Sequence, residues 1–336
     1  MSKKRFSILA ILSIMVIGAL VLGACAPAAP SEPEEPMEEP MEEPEEEPME
    51  EPTEEPMEEP MEAELGTADN PIVWVLTPSQ DTQAVLTGAE GFTQYIEDET
   101  GLVVEAFVAT DYTAQVEAIC SGEAQMGALN TFGYIRATER DCANVALVSS
   151  RFGSTSYSGQ LITQAGSGVE VVEDLAGKVF CRPDPGSTSG WIIPSLNMLA
   201  AGLDPETDLA EIVDAGGHDG VVIAVYNGDC DAGSTFVDAR DTVADEFADI
   251  YETVVVIAES PPIPNDNISF TADVPEEAQQ AITDALLALN ETEEGAELFN
   301  ALYSWAGVEA AEDTFYDGFR QQLEAAGMAI EDLVSE

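Results

Sequence analysis

Histidine is almost missing from this chain, and basic charge is scarce: one His and ten Lys and Arg stand among 336 residues, against 66 Asp and Glu. The lone histidine, His218, excludes a metal centre built from several imidazoles. The pattern G-x-x-x-x-G-K-[ST] is missing, as are G-x-G-x-x-G after the first strand, H-E-x-x-H and C-x-x-C. The motif-borne forms of nucleotide, dinucleotide, zinc-peptidase and thiol-redox chemistry therefore have no footing. The G-x-S-x-G elbow of serine hydrolases is absent too. Neither a cofactor nor a metal is expected.

The one long apolar run, Ile8 to Leu22, follows Met-Ser-Lys-Lys-Arg and leads into Leu22-Gly23-Ala24-Cys25. A basic start, a short apolar run and small residues make a signal peptide over residues 1–24, too short for a comfortable membrane span. L-G-A-C resembles the lipobox of bacterial lipoproteins, which implies that Cys25 becomes lipid-modified and holds the protein to the outer face of the cell membrane. From Ser31 to Glu64 the chain repeats P-M-E-E without a single basic residue. Proline at that spacing forbids helix and the density of Glu forbids collapse, so residues 25–66 read as a solvated tether. At roughly 3 Å per residue the repeat from Ser31 to Glu64 reaches about 100 Å.

Without the eighteen tether glutamates and three basic leader residues, 48 acidic and seven basic residues remain on the last 272. So negative a domain is a poor partner for nucleic acid, and it meets membrane only through its anchor. An anionic ligand must then be held mainly by oriented neutral donors.

Four cysteines remain after Cys25, and an even number in an exported chain suggests two disulfides among three connectivities. Cys120 ends an expected helix and Cys142 precedes a strand at the same sheet edge; Cys181 and Cys230 sit on or beside neighbouring strands. The expected pairs are Cys120–Cys142 and Cys181–Cys230.

Strand and helix patterns alternate. Ile72–Leu76, Leu102–Val108 and Gln125–Leu129 read as strands around helices at Gln83–Thr100 and Tyr112–Cys120. Lys178–Cys181, Glu211–Asp214 and Asp231–Ser234 repeat that grammar around helices at Ser187–Ala201 and His218–Asn227. Ala118–Gly127 (A-I-C-S-G-E-A-Q-M-G) even echoes Ala224–Gly233 (A-V-Y-N-G-D-C-D-A-G). Two α/β lobes rich in parallel strands follow, with ligand sites where strands end and helices begin. The stretch from Val274 reads as amphipathic helices, such as Glu276–Leu289, returning to the first lobe.

The densest signal is Asp184 to Gly190, D-P-G-S-T-S-G. Ser187, Thr188 and Ser189 open a helix, where hydroxyls and unpaired backbone N–H groups converge at the positive end of the dipole. Gly216-Gly217-His218-Asp219-Gly220 opens a second helix of the same lobe, and places His218 Nε2 where it can donate to an oxyanion. Tyr112 lies at a strand-to-helix turn and Tyr157 in the connection between lobes. Asp238 and Asp266 fall at crevice edges. Read as chemistry alone, Ser187 and His218 with an Asp also admit a phosphoester hydrolase.

D-P-G-S-T-S-G, G-G-H-D-G and S-P-P-I-P-N-D, in this order and spacing, resemble the phosphate/phosphite/phosphonate-binding lipoproteins of ABC importers, from about Pro71 onward. The resemblance implies a type II periplasmic-binding fold: lobe 1 from 70–155 plus 262–336, lobe 2 from 156–261, and a two-strand hinge. It implies that Ser187, Thr188, Ser189 and His218 hold the phosphorus oxygens, that Tyr112 and Tyr157 wall the pocket, and that Asp238 and Asp266 hold an ammonium where the ligand has one. It implies a transporter permease as partner for a monomeric, non-enzymatic binding protein.

Overall fold

The computed structural model describes residues 63–328. The leader, Cys25 and nearly all of the tether lie outside the described residues. Among the described residues, no helix is long and apolar enough to cross a membrane.

Strands run in chain order as β1 (Ile72–Leu76), β2 (Val104–Val108), β3 (Met126–Leu129), β4 (Asn144–Ser150), β5 (Ser156–Tyr157), β6 (Gly159–Gln164) and β7 (Val179–Arg182). They continue as β8 (Glu211–Asp214), β9 (Ala232–Phe236), β10 (Val254–Glu259), β11 (Ile263–Pro264), β12 (Asn267–Phe270) and β13 (Gly307–Ala310). The first sheet has the order β13-β4-β12-β3-β1-β2 and the second β10-β6-β9-β7-β8. Each is parallel only where helical crossovers build it: β2-β1-β3 in the first sheet and β8-β7-β9 in the second. The other half is antiparallel, because β12 enters the first sheet and β6 the second from the opposite direction. Between the sheets, β5 and β11 pair antiparallel, with Tyr157 opposite Ile263 and Ser156 opposite Pro264. This two-stranded ribbon is the hinge expected of a two-lobed binding fold.

Local chemistry explains most elements. The helix Thr82–Thr100 begins where the Asp81 carboxylate accepts from the Ala84 amide at 2.9 Å, and ends at Gly101 with φ 74°. Its buried face is Val85, Ala89, Phe92 and Ile96, at helical spacing. Gly88 lets the helix Glu293–Tyr303 pack close: a Cβ there would stand 2.7 Å from the Ala301 carbonyl oxygen. Phe92 meets Phe299 at 5.1 Å and Trp74 at 6.0 Å, edge-on in both cases. The returning C-terminal helices thus close the core of the first lobe. The second lobe buries Ile162, Val221, Val222 and Val225 between its sheet and the helix His218–Asn227.

Both expected disulfides are present, with Cα–Cα separations of 4.8 Å for Cys120–Cys142 and 5.9 Å for Cys181–Cys230. Each closes a loop long enough to stabilise the fold by about 3–4 kcal/mol. Cys181 and Cys230 are 0 % and 2 % exposed, whereas Cys120 and Cys142 are partly open to solvent. A mild thiol reductant is therefore expected to open Cys120–Cys142 first, with the fold retained. Timed alkylation and mass mapping check this; simultaneous loss of both bridges contradicts it.

The S-T-S segment departs from the single helix expected over 187–201. Thr188–Ile192 forms one wide turn, in which the Ile192 amide donates to Ser187 O at 3.0 Å, and only from Ile193 does an α-helix run to Ala200. Pro194, in the first α turn, has no N–H to donate, which permits the change of register.

Candidate functional site

The strand ends and helix starts of both lobes converge on one cavity of about 20 Å³. Its wall includes Thr77, Ser79, Tyr112, Asn130 and Arg151 from the first sheet and its helices. Ser187, Thr188, Ser189, His218 and Phe236 come from the second, and Tyr157 and Asp266 from the hinge strands and the turn beside them. The space suits a compact polar group of a few atoms.

Hydroxyl geometry follows from the wide turn. Ser187 Oγ accepts from the Gly190 amide at 3.2 Å and lies 3.3 Å from His218 Nε2. Thr188 Oγ1 accepts from two donors of the other lobe, the Phe132 amide at 3.0 Å and Asn130 Nδ2 at 3.1 Å. With both lone pairs of Thr188 engaged, its proton is left for a ligand. Asn130 caps the helix Thr131–Thr138, accepting from the Gly133 amide at 2.8 Å, and donates also to Gly186 O at 2.9 Å. The His218 amide donates to Ser79 O at 2.9 Å. These bonds cross between lobes, so the structure is of a closed form.

His218 is 4 % exposed, its ring tilted against that of Phe236 with centroids 4.8 Å apart, and its Nδ1 lies 2.8 Å from Thr235 Oγ1. Burial, helped by the positive charge of Arg151, lowers its pKa to about 3, so the ring is neutral near pH 7. When the Thr235 hydroxyl donates to Nδ1, Nε2 carries the hydrogen and offers it to the cavity. Burial raises the phenol pKa values of Tyr112 and Tyr157, with nearby carboxylates adding to it. Both tyrosines are therefore neutral hydroxyl donors. Burial also raises the Asp266 carboxyl, and Arg151 pulls it back down.

Residues 74–316 match the model of a family described as the periplasmic substrate-binding protein of a phosphonate ABC transporter. The chain belongs to that family. The phosphate-import protein PhnD of Mycolicibacterium smegmatis is 29% identical over 179 residues, 50% of this chain and 54% of the relative. The phosphonates-binding periplasmic protein of Escherichia coli is 26% identical over 227 residues, 66% of this chain and 67% of the relative. This chain thus matches about half the length of the mycobacterial relative. A binding component of an ABC phosphonate transporter from Pseudomonas aeruginosa superposes with TM-score 0.71 at 20% identity, covering 76% of this chain and 86% of that one. A Prochlorococcus marinus protein in complex with methylphosphonate does so with TM-score 0.69 at 12% identity, over 77% and 98%. These structures share the two-lobed periplasmic-binding fold, and the family's place is extracytoplasmic.

In this member of the phosphonate-binding family, one of the expected site residues lies away from the cavity. Ser187, Thr188, Ser189, His218, Tyr112, Tyr157 and Asp266 all line the cavity, but Asp238 does not. Its carboxylate is bound instead by Arg240, whose Nε lies 2.9 Å from Oδ1, and by Gln160 Nε2 at 3.0 Å. Burial alone would raise the Asp238 pKa, but the Arg240 and Gln160 hydrogen bonds hold it below the ordinary carboxylate value. The physical reason is local: Arg240, two residues on, satisfies the acid before any ligand can. Five cavity residues were not expected from the sequence: Thr77, Ser79, Asn130, Arg151 and Phe236. Among the described residues no group of three or more His, Cys, Asp or Glu is placed to hold a metal.

Proposed function

We propose that this chain is the solute-binding component of an ABC importer, enclosing a small phosphorus oxyanion between its lobes and delivering it to the membrane permease. The observation that carries this reading is the closed cavity itself. Three hydroxyls of one wide turn, a neutral histidine and two tyrosines face a volume of about 20 Å³. Four or five hydrogen bonds to a charged ligand, at about 1.5–3 kcal/mol each, exceed in gross terms the roughly 8 kcal/mol of micromolar binding. The surplus offsets lost motional freedom and lobe closure. Closure is a hinge motion at the β5–β11 ribbon, between 70–155 plus 262–336 and 156–261. The anchor is the lipid on Cys25, and the Glu/Pro-rich stretch spaces a monomeric receptor from the membrane.

Ser187 Oγ lies 3.3 Å from His218 Nε2, but the rest of a hydrolase site does not follow. A nucleophilic Ser187 needs a base oriented by an acid, and the partner of His218 Nδ1 is the Thr235 hydroxyl. Ser187 Oγ is already held by the Gly190 amide.

The test is thermal melting of the full chain with phosphate, phosphite, methylphosphonate or sulfate, with turnover of a chromogenic phosphoester followed in parallel. A ligand present at a thousand times its dissociation constant stabilises by about 4 kcal/mol. The expected result is stabilisation by at least one phosphorus oxyanion and no turnover; sustained turnover overturns the reading.

A further inference from the structure

Asp266 poses an electrostatic problem for any anion-binding reading of the cavity. A carboxylate on the wall repels the ligand unless a cation or a proton neutralises it. The structure supplies a cation from the protein. Arg151, at the end of β4, is 8 % exposed, and its Nη2 lies 3.4 Å from Asp266 Oδ2. The guanidinium also lies 5.1 Å from the ring centroid of Phe236 and 5.7 Å from that of Tyr157, which fix its plane in the cavity wall. Its one hydrogen bond among the described residues is the long contact to Asp266, and Nε is buried without a partner. A buried guanidinium N–H with no acceptor is an unfavourable arrangement that an oxyanion in the cavity relieves.

We propose, on the basis of the function above, that Arg151 stands where a cationic ligand tail would have to lie, and sets the substrate class. Its free donors bind a phosphorus–oxygen group, and its charge cancels that of Asp266. The pocket then takes phosphorus oxyanions whose remaining substituent is small and uncharged: phosphate, phosphite or methylphosphonate. It rejects aminoalkylphosphonates, whose ammonium meets the like charge of Arg151 and a carboxylate already paired. Asp238, which does not line the cavity, is bound by Arg240.

The experiment is calorimetric titration of the full chain and its Arg151→Ala and Arg151→Lys variants with phosphate, phosphite, methylphosphonate and 2-aminoethylphosphonate. The wild type is expected to bind the best of the first three at least about a hundredfold more tightly than the aminoalkyl ligand. Arg151→Ala is expected to weaken that best ligand at least about tenfold and to narrow the ratio, because the like charge is gone. Arg151→Lys keeps the charge but not the fork, so the simple anion weakens while the aminoalkyl ligand stays excluded. Wild-type preference for 2-aminoethylphosphonate overturns the proposal, as does an unchanged ratio in a folded Arg151→Ala. If Arg151→Ala does not fold, the wild-type ranking and the lysine variant decide. Failure of all four ligands to bind the wild type overturns the functional reading itself, which is a separate outcome.

Discussion

Thr188→Ala is expected to weaken oxyanion binding by about 2–4 kcal/mol, roughly thirty- to a thousandfold in Kd. The size comes from its double duty. Its hydroxyl proton is free for the ligand, while its oxygen accepts from the Phe132 amide and Asn130 Nδ2 of the opposite lobe. Removing the oxygen leaves the Phe132 amide unpaired in the closed form, at about 1–3 kcal/mol where water cannot reach it, and leaves Asn130 Nδ2 with only its bond to Gly186 O. The open form is untouched, so the melting temperature without ligand should change little compared with the loss of affinity. A valine at 188, which keeps the shape and deletes the hydroxyl, should behave like alanine. Titration of the folded variants checks this; an affinity within about twofold of wild type removes Thr188 from the site.

The second large effect is a pH dependence written into His218. Unfolded, its imidazole takes up a proton near pH 6.5. Folded, burial lowers that step to about 3. The contribution of the neutral buried ring is therefore fully present above pH 6.5 and is lost as pH falls from there towards 3. The loss amounts to about 1.4 kcal/mol per pH unit, or about 5 kcal/mol over the whole window at most. The many carboxylates titrate through the same range, so the readable quantity is a difference. His218→Asn should lose less stability than wild type between pH 6.5 and 4, by about 3 kcal/mol, in denaturant unfolding at each pH. Parallel curves contradict the assignment of a neutral, desolvated ring.

Much of this architecture was legible in the sequence because periodicity and capping agreed. Tyr112–Cys120 follows the Asp111 cap, His218–Asn227 ends at Gly228, and the boundaries found are those expected. The S-T-S turn and the G-G-H-D-G start also carry their chemistry in the residues themselves. What was not legible has physical causes. The helix Thr131–Thr138 is buried on nearly every face, so it has no amphipathic pattern to betray it. Asn130, its cap, was hidden with it. Arg151 reads in sequence as one solvated base on an acidic surface, and only the fold brings it against Asp266, 115 positions away. One signal was available: with seven basic residues in the domain, each has many acids to choose from, so one beside the hinge merited a search for its partner. The Arg240–Asp238 pair needed no fold at all. An acid and a base two residues apart, after a strand end, already compete with any ligand for that carboxylate.

Calorimetric titration of the full chain combined with small-angle scattering tests the capture of one small phosphorus oxyanion between two lobes. The expected result is one site per chain, micromolar or tighter affinity for at least one of phosphate, phosphite and methylphosphonate, and a smaller radius of gyration when that ligand is added. Absence of binding by all three, or binding with no change in size from a ligand-free state as compact as the closed form, contradicts it.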